Sequence, residues 1–350
     1  MNKKDKKGKL KLFDIAKDGR GLGKKPTMSR SGFKRFFITY KDNIGKIVSV
    51  NIFMVLGNFP LFFLIAALAG YTKAEGFLPF SDIFHGYGNM LAVEGVAPDT
   101  MSVFALVGLQ ERVLIPTALT YVFYAIGALT VFTFGIVNVG TAYILRNIAK
   151  GEPVFLWSDF WYAVKRNLKQ AIPFGIIDVA INAVLIFNIY NLVFGEAKFI
   201  ASMMFWANVI IFILYFIMRY YIYVQMVTFK LSIFKIIKNS LIFCLLGMKR
   251  NIFPLLGTAV FLLFEFLFIF AFGGVLISFA IALPLLIFFA SSAYMKVYAA
   301  YFKIEELMIE PYYREHPEER PTEEDTDVIM RDDVTDKELL EEIKKRNGIE

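Results

Sequence analysis

The chain has 350 residues, of which 57% are hydrophobic, 17% aromatic and only 20% charged, with a formal net charge of +7. Soluble domains run nearer half apolar and a quarter charged. Here the apolar stretches run past the roughly 18 residues that mark a membrane span, which excludes an ordinary soluble fold. A single cysteine, Cys244, excludes an intramolecular disulfide. His85 and His316 stand far apart, so no zinc-site spacing exists, and neither metal nor cofactor is expected.

Residues 1–32 are basic: the first 35 residues hold 13 Lys/Arg and no apolar core region of the kind a signal peptide needs. The first span is therefore expected to serve as the insertion signal, and the segment before it to be disordered. The Gly- and Lys-rich stretch at 19–25 lacks phosphate-loop spacing, and no Ser/Thr follows its lysines. Its cations suit anionic lipid. With no folded reader beside them, nucleic acid is not an expected partner.

Six spans follow, at about 48–70, 114–138, 172–194, 201–227, 252–272 and 275–298. Each has at least 20 mostly apolar residues, and at about 1.5 Å per residue that crosses a core of about 30 Å. The expected fold is all-α: a polytopic transmembrane helix bundle occupying 33–303. The last two spans are divided only at Gly273 and Gly274, as in a tight hairpin. Internal prolines at 60, 116, 173, 254 and 284 mark kinks or span starts, which neighbouring helices can satisfy.

The loops orient these spans. Lys/Arg concentrate before span 1, between spans 2 and 3 (Arg146, Lys150, Lys165, Arg166, Lys169) and between spans 4 and 5 (Lys230, Lys235, Lys238, Lys249, Arg250). The alternate loops, chiefly 71–112, are nearly bare of them. The positive-inside rule then predicts both termini in the cytoplasm and 71–112 outside.

A weak repeat lies on the basic side. Before span 3 stands SDFWYAVKRNLKQAIPFG (158–175); before span 5 stand SIFKIIK (232–238) and KRNIFPLLG (249–257). The shared element is an aromatic and basic amphipathic helix, then Lys-Arg-Asn, then Pro and Gly opening the span. Residues 33–45 form a looser third copy. Such helices suit the headgroup layer, with Trp157 and Trp161 toward the acyl chains. Lys165, Arg166, Lys169, Lys235, Lys238, Lys249 and Arg250 then face lipid phosphates.

At this repeat the sequence resembles the YesL family of bacterial membrane proteins, a domain of unknown function. The stretch GTAYILRNIAKGEPVF (140–155), continued through 158–170, carries the likeness, and 220–240 also fits. The resemblance covers roughly 115–300, and more loosely 33–60. It departs at 71–112, which reads as an extra loop, and in a long acidic tail. The family has no established catalytic residues to carry over. It implies that the membrane is a bacterial plasma membrane, and it implies association with carbohydrate uptake, and hence transporter subunits as partners.

Polar groups inside spans are costly and are functional candidates. Here they are Asn138, Asp178, Asn182, Arg219 and Glu265. Counted from flanking residues at helical rise, Asn138, Asp178, Arg219 and Glu265 lie roughly 12–17 Å from the cytoplasmic edge, in one layer. Arg219 is expected to pair with Asp178 or Glu265, either as a static ion pair or as part of a polar ligand site. No Ser/His/acid constellation is present, so an enzyme is not expected.

Beyond residue 304 lie 17 of the 31 acidic residues, in an expected disordered tail. Within it Thr335 and Glu338 form a capping box for a short helix at 336–346. Two functional readings follow: an auxiliary or regulatory component of carbohydrate transport, or a small-molecule transporter with its site among Asn138, Asp178, Arg219 and Glu265.

Overall fold

The computed structural model describes residues 32–79, 110–194, 199–271 and 274–317. The basic segment at 1–31, most of the loop at 71–112 and the tail helix at 336–346 lie outside these residues.

The described chain is a helix bundle with one small hairpin. It begins with α1 (Phe33–Asp42), α2 (Ile44–Gly57) and α3 (Pro60–Leu68). The second and third are bent by 57° at Asn58–Phe59, and only together are they long and apolar enough to count as a span. Next, β1 (Lys73–Pro79) pairs antiparallel with β2 (Gln110–Pro116), Lys73 opposite Pro116. This corrects the expected start of span 2 at 114: Val113, Leu114 and Ile115 are laddered strand. The helix starts one residue after Thr117, whose hydroxyl caps the Thr120 N–H at 3.3 Å. Both threonine hydroxyls also donate to the Thr72 carbonyl, at 2.6 and 2.7 Å, which ties the hairpin to the helix.

There follow α4 (Ala118–Ala128), α5 (Thr130–Lys150), α6 (Leu156–Phe194), α7 (Phe199–Thr228), α8 (Ile233–Leu246) and α9 (Met248–Phe270). The last stretch is α10 (Ile277–Leu283), a π segment (Pro284–Phe288), α11 (Phe289–Ile304), a second π segment (Glu305–Ile309) and α12 (Glu310–Glu315). Five helical stretches are long and apolar enough to cross a membrane, or six with the bent pair. The amphipathic helix before span 3 is continuous with that span: α6 has 39 residues, about 58 Å at helical rise, roughly twice the hydrocarbon core. The final helical stretch also outruns expectation. Residues 304–315 belong to it rather than to a tail.

Contacts between elements gather the basic segments at one end. Arg35 donates to the Lys150 carbonyl (3.0 Å), Arg146 to the Val227 carbonyl (2.8 Å), Gln170 to the Leu231 carbonyl (2.7 Å), and Arg250 pairs with Glu306 (3.8 Å). Gly151, at φ +84°, ends α5 there, with the Glu152 N–H closing onto the Asn147 carbonyl as in a Schellman motif.

This basic end is the packed half. Residues 137–142 and 144–149 of α5, 219–227 of α7 and 290–302 of α11 are buried. Toward the opposite end the same bundle exposes Ile65, Trp206, Ile210, Leu263, Phe266 and Phe270. An apolar surface on that scale suits acyl chains and not water.

Two local devices hold the packing. Gly135 of α5 and Gly175 of α6 meet so closely that a Cβ on Gly135 would lie 2.8 Å from the Gly175 Cα; small residues let membrane helices approach like this. Asn51 of α2 is fully buried against the first π segment. Its amide donates to the Pro284 and Leu285 carbonyls (2.8 and 2.9 Å), and its oxygen accepts from the Ala290 N–H (2.9 Å). The backbone groups freed by the proline and the π turn are thus satisfied by a neighbouring helix.

Candidate functional site

Where the packed half gives way to the open half, the helices enclose a cavity of about 620 Å³. Its walls are largely aromatic and aliphatic: Leu61 and Phe62 of α3, Phe134 of α5, Phe212 and Phe216 of α7, Leu255 and Leu262 of α9. Its polar groups are Asn58, Asn138, Arg219, Thr258, Ser292 and Lys296. The backbone is interrupted at two places on its border, the α2–α3 bend and the π segment before α11.

Of the five expected site residues, Asn138 and Arg219 line the cavity. Asn138 is otherwise tied to its own helix, donating to the Phe134 carbonyl at 2.8 Å. Asp178 stands behind Arg219 as its counter-ion, fully buried, and is saturated with donors. It accepts from Arg219 (2.7 and 3.2 Å), Tyr215 (2.8 Å), Tyr223 (2.7 Å) and Asn182 (2.8 Å). A buried carboxylate with this many donors is held immobile, so Asp178, itself fixed by Asn182, positions Arg219 and has no lone pair left for a ligand.

Glu265 does not join them. It lies one turn beyond Leu262 along α9, and among the described residues it makes no ion pair; its Oε1 has no hydrogen-bond partner. The expected single polar layer is therefore corrected. Arg219 is already neutralised through α6, and α9 leans away from α7, touching it near the basic end through Tyr221 and Asn251 (2.9 Å).

Lys296 of α11 is the functional candidate that the sequence reading passed over. It is 5% exposed and lines the cavity floor beside Arg219. Its ammonium sits 3.6 Å from the Phe216 ring centroid and 4.5 Å from that of Tyr220. No carboxylate pairs with it among the described residues. Aromatic faces contribute about 2 kcal/mol to a desolvated cation, well short of what an opposite charge supplies in a medium of low polarity. The signal was present: six uncharged residues separate Lys296 from Lys303. The expected span end at 298 placed it at the interface, and the longer helix buries it.

Most of the residues expected at the interface lie on the surface of the bundle. Trp157 is 67% and Trp161 40% exposed, and Lys165, Arg166, Lys169, Lys235, Lys238 and Lys249 are exposed. Arg250 departs from the set: it is partly buried and pairs with Glu306, which tethers α9 to the end of the last span.

A second cavity, of about 630 Å³, opens at the basic end, lined by Arg146, Lys150, Thr228, Tyr301, Glu305 and Tyr313 among others. Arg146 stacks on Tyr143 (4.6 Å) and spends its donors on Asn147, Val227 and Thr228. No group of three His, Cys, Asp or Glu among the described residues could hold a metal ion. Comparison of the chain with family models, with curated proteins and with solved structures gives no match.

Proposed function

We propose that this integral membrane protein binds an amphipathic organic anion in the cavity between its spans, the anionic group against Lys296 and Arg219 and the apolar part along the phenylalanine walls. The observation that carries this reading is Lys296, a buried lysine with which no carboxylate pairs among the described residues, on the wall of a largely apolar cavity. A ligand carboxylate, sulfonate or phosphate supplies the missing charge where water is scarce, and a few polar groups in an apolar cleft are the usual make-up of a small-molecule site. A sugar suits this lining less well, since its many hydroxyls need many polar partners. The basic end is taken to face the cytoplasm by the distribution of Lys/Arg, and the membrane to be a bacterial plasma membrane by the family resemblance.

The test is equilibrium binding of radiolabelled decanesulfonate to the full chain in lipid nanodiscs, with uncharged decyl glucoside as competitor. The reading predicts saturable binding that the glucoside displaces poorly. In Lys296→Met, affinity falls at least about tenfold, as for loss of one charged hydrogen bond. Equal affinity in the variant would overturn it. The other reading, an auxiliary to carbohydrate uptake, rests on the family resemblance; transporter subunits co-purifying from native membrane would favour it.

A further inference from the structure

The cavity at Lys296 is graded from end to end. Its floor is polar and shut: Asn138, Arg219, Thr258, Ser292 and Lys296 are all buried, and the Thr258 and Ser292 hydroxyls bond each other at 2.8 Å. Away from the floor the lining is largely apolar, and part of it is open to the outside of the bundle. Phe62, Ile213, Leu262 and Phe289 line the cavity and are between 41% and 54% exposed. Ala259 lines it and is exposed as well.

The floor lies on the side of the basic end. Lys296 precedes Lys303 by seven residues, about 10 Å of helix, and Phe289 lies about 10 Å from Lys296 in the other direction. The cavity thus starts within the leaflet at the basic end and runs past the middle of a hydrocarbon core about 30 Å thick. Between the floor and the basic end the helices are close-packed: Ile144, Leu145, Tyr221, Val224 and Val297 are fully buried.

The side between α7 and α9 is built differently. Both helices pack on α11, but neither packs along the other. They are joined near the basic end, where Tyr221 donates to Asn251, and Asn251 donates to the Cys244 carbonyl of α8, each at 2.9 Å. Beyond that junction, Ile213 on α7 and Ala259 and Leu262 on α9 are both cavity wall and exposed surface. They flank a slot that opens sideways, and in a membrane that face meets acyl chains.

A ligand that passes this slot comes out of lipid, and its apolar part is never hydrated on the way. The order of groups in the cavity also has the polarity of one leaflet. A lipid at the basic end points its headgroup toward that end and its chain toward the midplane. The cavity likewise sets its polar floor toward the basic end and its apolar walls toward the midplane. The exposed lysines of α6 and α8 draw anionic lipid into the same leaflet.

We propose that the occupant of this cavity is an anionic lipid of the bilayer itself, which enters sideways between α7 and α9 from the leaflet at the basic end. One acyl chain lies along the phenylalanine walls and the headgroup is held at Lys296. This rests on the reading of the cavity as an anion site and narrows it: the anion is membrane-borne rather than dissolved.

The experiment uses the full chain in phosphatidylcholine nanodiscs doped with a lysophosphatidate whose acyl chain carries a diazirine. On illumination the probe should attach to the cavity-lining peptides of α7 and α9. The yield should be several-fold above that of lysophosphatidylcholine bearing the same chain. This comparison uses wild type alone, so it does not depend on a variant folding. Lys296→Met should abolish the difference between the two probes. Ala259→Trp, which obstructs the slot, should lower capture several-fold. Val260→Trp, at the neighbouring exposed position that does not line the cavity, should leave it unchanged. Decanesulfonate binding to the same nanodiscs separates the two claims. If decanesulfonate binds but the two lysolipids are captured equally, or Ala259→Trp and Val260→Trp capture alike, the lipid occupant and its slot are overturned and the anion site stands. Absence of decanesulfonate binding would overturn the site itself.

Discussion

The two halves of the bundle are built on opposite rules. At the basic end, helix packing leaves little room: Tyr221, Tyr223, Ile144, Leu145 and Ile304 are fully buried, and Arg146, Tyr221 and the Gln225 amide donate to groups on neighbouring elements. Toward the other end, α3, the first half of α7 and the second half of α9 present large apolar side chains outward and enclose a cavity. The difference separates two kinds of buried charge that look alike in a sequence. Arg219 belongs to the packed half through Asp178 and is structural by that pairing. Lys296, one helix away, belongs to the cavity, because nothing in the packed half answers its charge.

The comparison is broken most severely at Asp178. Asp178→Ala would leave Arg219 buried without its counter-ion and remove the acceptor of Tyr215 and Tyr223, a loss of about 3–5 kcal/mol. A large drop in the thermal midpoint in detergent is the expected reading. Asp178→Asn combined with Arg219→Met should recover much of it, because the charges leave together; no recovery would mean that the pair is not what couples α6 to α7.

Asn51 sharpens the same contrast at the π segment. Asn51→Leu keeps the volume but removes the two bonds donated to the Pro284 and Leu285 carbonyls and the one accepted from the Ala290 N–H. The expected cost is about 1–3 kcal/mol, visible as a lower midpoint and as faster hydrogen exchange at Ala290. Unchanged exchange would show that the segment satisfies itself.

How much of this was legible in the sequence follows from which physical signal each feature leaves. Apolar runs of 20 residues announce spans whatever the packing, and Lys/Arg bias announces the alternation of the loops. Arg219 and Asp178 were legible because a charge amid apolar residues needs a partner. Which acid it takes was not, since Asp178 and Glu265 differ only in how α6 and α9 lean. The strand at 110–116 was missed because β-branched residues before a proline score as apolar in a span just as they do in a ladder. Asn51 was invisible for another reason: a lone amide near a span start reads as interfacial unless the break at Pro284 is known to lie opposite it.

Smaller effects test the packed half from its surface. The single thiol, Cys244, is buried, and burial pushes it up to about 11. Its reactive thiolate is therefore scarce at neutral pH and grows as pH rises toward that value. Maleimide labelling at pH 7 should be far slower than for an exposed cysteine; ordinary rates would show that α8 is not packed as described. Smallest of all, Lys238→Ala on exposed α8 should move stability by no more than about 0.5 kcal/mol. A larger loss would mean that the basic faces are structural rather than solvated.

The most direct test of the central claim is one variant read in two ways. Lys296→Met removes a buried amine that has no carboxylate partner among the described residues and replaces it with a side chain of similar length. Its thermal midpoint without ligand should equal or exceed that of wild type, while decanesulfonate binding in nanodiscs falls at least about tenfold. A variant that is destabilised yet binds the probe with wild-type affinity would show Lys296 to be a packing residue, and would contradict the account.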